Sequence, residues 1–177
     1  MIESLAERIS IRLKNANPEE TTSVEVMKFA LTGVLHNSVT IFAALVVGGI
    51  FGHFADTLLT IVFFMTLRLV SGGYHFKSAL HCFIFSFGVF VAIPFISITD
   101  DIIGILLLVS LLLATLYAPS NITEHIRVNR KFFPLFKLLS LLIIALDLIL
   151  WNPIIALAVC AQSLTLIRFN RKRGEVK

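Results

Sequence analysis

The chain has 177 residues, of which 57% are hydrophobic and only 15% charged, with a mean hydropathy of +0.92. A soluble domain carries nearer about 25% charged residues, and 15 basic plus 11 acidic side chains are too few to cover a surface of this size. These figures exclude an ordinary soluble globule, a disordered segment and a disulfide-stapled secreted domain, and they imply a bilayer as solvent.

Met1 to Asn17 has no unbroken apolar core or small-residue cleavage pattern, so a signal peptide is not expected. Ile2, Leu5, Ile9 and Leu13 instead recur at helical spacing among Glu3, Glu7, Arg8, Arg12 and Lys14. That pattern predicts an amphipathic helix, lying at an interface, against a partner or on the body of the same chain. Asn17-Pro18-Glu19-Glu20 ends it, and Thr22 or Ser23 starts the next helix. Six apolar runs follow, at 29–51, 55–70, 79–98, 102–118, 133–151 and 153–169. A span needs about 20 apolar residues, with ~17 as a lower limit, so the second, fourth and sixth runs are short.

Basic residues alternate between the connections. The N-terminal segment has Arg8, Arg12, Lys14 and Lys28, the second connection Arg68 and Lys77, and the fourth Arg127, Arg130 and Lys131. The tail ends with Arg168, Arg171, Lys172, Arg173 and Lys177, while the first, third and fifth connections have no Lys or Arg. This placement accounts for the net charge of +4 as membrane topology and argues against nucleic acid as a partner. The expected fold is all-α, a polytopic membrane protein of about six transmembrane helices preceded by an amphipathic helix. A single domain is expected over 1–177, with an interfacial segment 1–28, a bundle 29–169 and a basic tail 170–177. Both termini fall on the cytoplasmic side by the positive-inside rule. Gly48-x-x-x-Gly52 is a helix-pairing signal that points weakly to a homodimer.

Chemistry concentrates in one connection, residues 68–82, which bring Arg68, His75, His81 and Cys82 together in an otherwise inert chain. Polar groups at membrane depth are costly, which marks such a cluster as functional. Gly72-Gly73 permits backbone conformations closed to other residues. A Cys82 thiolate can act as nucleophile, with an imidazole taking the thiol proton and later protonating a leaving amine. On one straight helix, His75 and Cys82 would have α-carbons about 10 Å apart, so a fold-back at the glycines is needed for them to meet. His81 is the weaker base, because it points to another helix face. A metal site of His75, His81 and Cys82 lacks a further ligand, and no metal or cofactor is expected. Cys160 reads as a small hydrophobe, distant from Cys82 and not its disulfide partner. His36 and His53, near span ends, read as interface residues. Asp147, inside a span, has three readings: a pair with Lys137, an orienter of a histidine, or the lining of a polar cavity.

The string Arg68-x-x-Ser71-Gly72-Gly73-x-His75-x6-Cys82 resembles the signature of the accessory gene regulator B (AgrB) family. The resemblance extends over nearly the whole chain, through the amphipathic start, Tyr117-Ala118-Pro119 after the fourth run, the basic loop and the basic tail. It implies a membrane cysteine endopeptidase that processes quorum-sensing pro-peptides. Cys82 would be the nucleophile and His75 its base, with Arg68, Ser71, Gly72 and Gly73 as supporting motif residues. The implied partner is a short amphipathic pro-peptide (AgrD-like) with an acidic tail, for which Lys77, Arg127, Arg130 and Lys131 are candidate contacts. The competing readings are a small transporter, suggested by Asp147 and Lys137, and a membrane scaffold working through its first helix.

Overall fold

The structure, a computed structural model, describes residues 2–74, 79–120 and 130–167, leaving aside the side chains of Ala79 and Arg130. Among these residues there are seven α-helices: α1 (Ile2–Ala16), α2 (Val24–Ile50), α3 (Phe54–Ser71), α4 (Ala79–Ala92), α5 (Asp100–Tyr117), α6 (Phe133–Leu150) and α7 (Pro153–Leu164). Short 3-10 turns, Ile93–Phe95 and Arg130–Phe132, extend α4 and lead into α6. The fold is all-helical, as the sequence implies.

The six apolar runs resolve into two classes. Helices α2, α3, α5 and α6 are long and apolar enough to cross a membrane, whereas α4 and α7 are shorter. The 12 residues of α7 extend only about 18 Å, well under the ~30 Å of hydrocarbon. Its run breaks after Leu164, where Thr165 Oγ1 donates to the Gln162 carbonyl at 2.7 Å and turns the chain. Phe29, Phe42, Ile50, Leu69 and Ile149 are each more than two-thirds exposed. Such an apolar mantle fits a multi-pass membrane protein and not a water-facing surface.

Helix α7 is the axis of the bundle, packed against both α3 and α5. Eight of its 12 residues are buried, many of them small, which lets neighbouring backbones approach closely. Ile155, Ala156 and Val159 join Leu67, Leu107 and Ile144 in one core cluster. Ile154 and Ala158 join Ala44, Phe64 and Phe90 in a second, so α7 separates and braces the two. The turn before it is tied by side chains. Asp147 is fully buried and its Oδ1 accepts the Asn152 amide at 3.0 Å. Asn152 Oδ1 in turn accepts the amides of Ile154 and Ile155, capping α7 with Pro153 at its first position. Asp147 therefore fastens the α6–α7 turn.

Ser23 caps α2, its Oγ accepting the Val26 amide at 3.4 Å. Helix α1 lies on α2 of the same chain through Ala6 and Ser10, both fully buried. Ser10 Oγ donates back to the Ala6 carbonyl, so its hydroxyl is satisfied within the contact. Glu7 pairs with Lys28 at 2.8 Å. The contact uses the small residues beside the expected apolar stripe, and Leu5 and Leu13 stay about half exposed.

Gly48 faces α3 so closely that a Cβ there would overlap the Thr57 side chain. Gly52, at φ 80°, makes the left-handed turn that ends α2. The Gly48-x-x-x-Gly52 spacing is thus used within the chain. Gly48→Val should force α2 and α3 apart at a cost of about 1–3 kcal/mol, read as a lower unfolding midpoint in detergent. Gly33→Val, with nothing within 4 Å of the added Cβ, is the control. Equal midpoints for the two variants would refute the close packing.

Candidate functional site

The end of α3 is shaped by its two glycines. Gly72 adopts φ 72° and ψ −141°, and its amide still donates to the Arg68 carbonyl at 2.9 Å, closing the helix. Gly73 follows at φ 137°, a conformation that side chains resist. The chain then runs beside the segment after α5, in an isolated parallel bridge between Gly72 and Ser120. Gly73 N donates to the Ser120 carbonyl at 3.0 Å, and Ser120 N to the Ser71 carbonyl at 2.9 Å. One residue on, Tyr74 N donates to the Thr165 carbonyl at 2.8 Å, just past the end of α7. The ends of three helices, α3, α5 and α7, are knotted here by main-chain hydrogen bonds. Tyr117-Ala118-Pro119, singled out in the sequence, delivers Ser120 to this knot.

Gly73 is the close-approach point. A Cβ placed on it would lie 2.5 Å from Thr165 Oγ1 and 3.2 Å from Gln162 Nε2. Ser71 is fully buried, and its hydroxyl donates to the Leu67 carbonyl at 2.7 Å.

Arg68 sits one turn before the end of α3, half-buried, with its guanidinium 6.0 Å from the centre of the Phe64 ring. Nη1 donates to Gln162 Oε1 at 3.2 Å and Nη2 to the Tyr74 carbonyl at 3.0 Å. The charge is thereby tied to both α7 and the glycine loop. Cys82 lies in the first described turn of α4, partly exposed and within electrostatic reach of Arg68. Cys160 differs: it is buried on α7. His81 is exposed beside Cys82.

Of the residues picked from the sequence, Arg68, Ser71, Gly72 and Gly73 converge on the knot, with Cys82 near its arginine. His75 and Lys77 lie outside the described residues, as do Arg127 and the tail from 168 onward. Lys131 is exposed on the turn leading into α6. Because α6 joins α7 through a tight turn and α7 runs toward the knot, α6 begins at the knot end of the bundle, and Lys131 lies there too. His53 is at the far end, where it precedes α3, approaches Asp56 at 3.4 Å and stacks edge-on with Phe95. Three knot residues escaped the sequence reading: Ser120, Gln162 and Thr165. Gln162 had a usable signal, as an amide inside an apolar run, since a polar group at that depth needs dedicated partners.

A family model, accessory gene regulator B, matches residues 2–166. An AgrB-like protein of Halalkalibacterium halodurans is 32% identical over 106 residues, covering 60% of this chain and 54% of its own length. The chain thus spans about half of that relative. Accessory gene regulator protein B of Staphylococcus haemolyticus is 26% identical over 176 residues, covering 94% of each. No solved structure matches. With a family match that spans every described helix, over a chain that carries the Arg68 to Cys82 signature in its sequence, the chain belongs to the accessory gene regulator B family.

Proposed function

We propose that the chain is a membrane cysteine endopeptidase that removes the C-terminal tail of a quorum-sensing pro-peptide and promotes its closure into a thiolactone or lactone. The observation that carries this reading is the partly exposed Cys82 within electrostatic reach of an arginine whose guanidinium is hydrogen-bonded to two chain segments, α7 and the glycine loop. The proposed nucleophile is Cys82 and the proposed base His75, seven residues before it.

In the first step the Cys82 sulfur bonds to a peptide carbonyl carbon and the C–N bond breaks. The thiol proton passes through the His75 imidazole to the departing amine, leaving a thioester. In the second step a thiol or hydroxyl of the bound peptide attacks that thioester. Its proton passes through His75 back to the Cys82 sulfur, and the ring is released. Thioester exchange is nearly isoenergetic, whereas making a thioester from an amide is uphill, so loss of the tail draws the sequence forward. A site at the membrane surface keeps water from the acyl-enzyme.

The partner under this reading is a short amphipathic pro-peptide with an acidic tail. Lys77, Arg127, Arg130 and Lys131 would hold that tail, an attraction weakened by salt. The protein would sit in the cell membrane with both termini and Cys82 on the cytoplasmic side. Lys131 at the knot end, against Asp100 and Asp101 opening α5 at the other, supports that orientation.

Trapping tests the mechanism directly. A pro-peptide whose ring-forming Cys or Ser is replaced by Ala should leave an acyl adduct on Cys82 after a rapid acid quench. Mass spectrometry would read its mass, and hydroxylamine would remove it. Tail release with no adduct at any quench time rejects the acyl-enzyme.

A further inference from the structure

Gln162 is the polar residue of α7 that reaches the knot, and it is fully buried. Its amide has only one orientation that satisfies its neighbours. Ser71 Oγ already donates to the Leu67 carbonyl, so toward Gln162 it accepts. The Gly72 carbonyl is an acceptor by nature. Gln162 Nε2 therefore faces both, at 2.7 Å from the Gly72 carbonyl and 3.4 Å from Ser71 Oγ. Oε1 is left for the Arg68 guanidinium, at 3.2 Å. A flipped amide would set N–H groups against the guanidinium N–H groups and a carbonyl against a carbonyl. One side chain from the central helix thus reads the α3 end on one edge and orients its arginine with the other. The Tyr74 carbonyl holds the second guanidinium nitrogen, and the Phe64 ring lies alongside.

We infer that Gln162 is a positioning residue, whose amide keeps the Arg68 guanidinium within reach of the Cys82 sulfur. This rests on the reading of Cys82 as the nucleophile, and it assigns to α7 a part in the site that the motif from Arg68 to Cys82 does not contain. Arg68 acts on the thiol through its field; Gln162 acts only through Arg68. An isosteric apolar side chain at 162 would leave the guanidinium tied by the Tyr74 carbonyl alone among the described partners.

A pair of alkylating agents separates positioning from simple bracing. Iodoacetate is an anion and iodoacetamide is neutral, so the ratio of their rates at Cys82 reports local positive charge while changes in access cancel. The measurement is made on the full chain in detergent, in a Cys160→Ser background so that a single thiol is read. Arg68→Gln should lower the iodoacetate-to-iodoacetamide ratio about threefold, and added salt should narrow that difference. Gln162→Met should lower the ratio by a similar factor. In the Arg68→Gln background Gln162→Met should change it no further, because the two act in series. If Gln162→Met does not give folded protein, Gln162→Asn is used instead, since its shorter amide keeps polarity but falls short of the guanidinium.

The inference is overturned if Arg68→Gln leaves the ratio unchanged, if the Gln162 variant alters both rates equally, or if its effect persists without Arg68. Alkylation needs no peptide. Cleavage surviving loss of Cys82 would defeat the peptidase reading and leave these ratios interpretable on their own.

Discussion

If Cys82 is the nucleophile as proposed, Cys82→Ser is expected to lower the rate of pro-peptide tail release by at least ~10³-fold, the scale seen when a nucleophile is removed from a covalent mechanism. Cys160→Ser stays within about twofold of the parent. The contrast follows from surroundings more than from sequence. Cys82 is partly exposed and has a cation within electrostatic reach. A serine hydroxyl in its place stays protonated at neutral pH and gains little from the same charge. Cys160 is buried within α7, and serine replaces it with little change in volume. Initial rates of tail release in proteoliposomes, with cognate pro-peptide supplied, make the comparison. Cleavage surviving in Cys82→Ser rejects the peptidase reading, and equal losses in the two variants reject the assignment of the nucleophile.

Gly73→Ala has the second large effect, and it acts on both stability and turnover. At φ 137° a side chain carries backbone strain of about 1–3 kcal/mol. The added Cβ would also lie 2.5 Å from Thr165 Oγ1, and overpacking of this kind costs about 1–3 kcal/mol more. Relief requires moving either the α7 end or the loop, which breaks the Tyr74–Thr165 or Gly73–Ser120 hydrogen bond. The expected result is a loss of about 2–6 kcal/mol in unfolding free energy, from these two contributions, together with loss of tail release. Gly52→Ala is the matched control. It too has positive φ, 80°, but nothing lies within 4 Å of its added Cβ, and it is far from the knot. Denaturation followed by circular dichroism in detergent measures both. If Gly73→Ala unfolds no more easily than Gly52→Ala, the close approach to Thr165 is not a constraint on the fold.

Helix positions were legible in the sequence because hydropathy and helix-starting residues mark them. Ser23 before α2 is an example. What hydropathy does not distinguish is lipid from protein as the destination of an apolar side chain, since removal from water has the same sign for both. The run at 153–169 therefore read like the run at 133–151. Ile149 of α6 is 81% exposed, whereas Ala156 and Ala158 of α7 are fully buried in protein. The same limit hid the site's third wall. Arg68, Gly72 and Gly73 were visible because charge and paired glycine are rare in such a chain. Gln162 and Thr165 lie about 90 positions further on, and only the packing of α7 between α3 and α5 brings them to the glycines.

The knot also determines which donors remain for chemistry. Gly72 N is committed to the Arg68 carbonyl and Gly73 N to the Ser120 carbonyl, while Ser120 N and Tyr74 N are committed to Ser71 and Thr165. None of these four amides is left to receive the negative oxygen of a tetrahedral adduct, although paired glycines suggest such a pocket. A guanidinium carries five N–H groups, and two nitrogens of Arg68 each donate once to the described partners. Under the proposed mechanism, an oxyanion beside Cys82 is therefore met by donors other than these four amides, the Arg68 guanidinium among them.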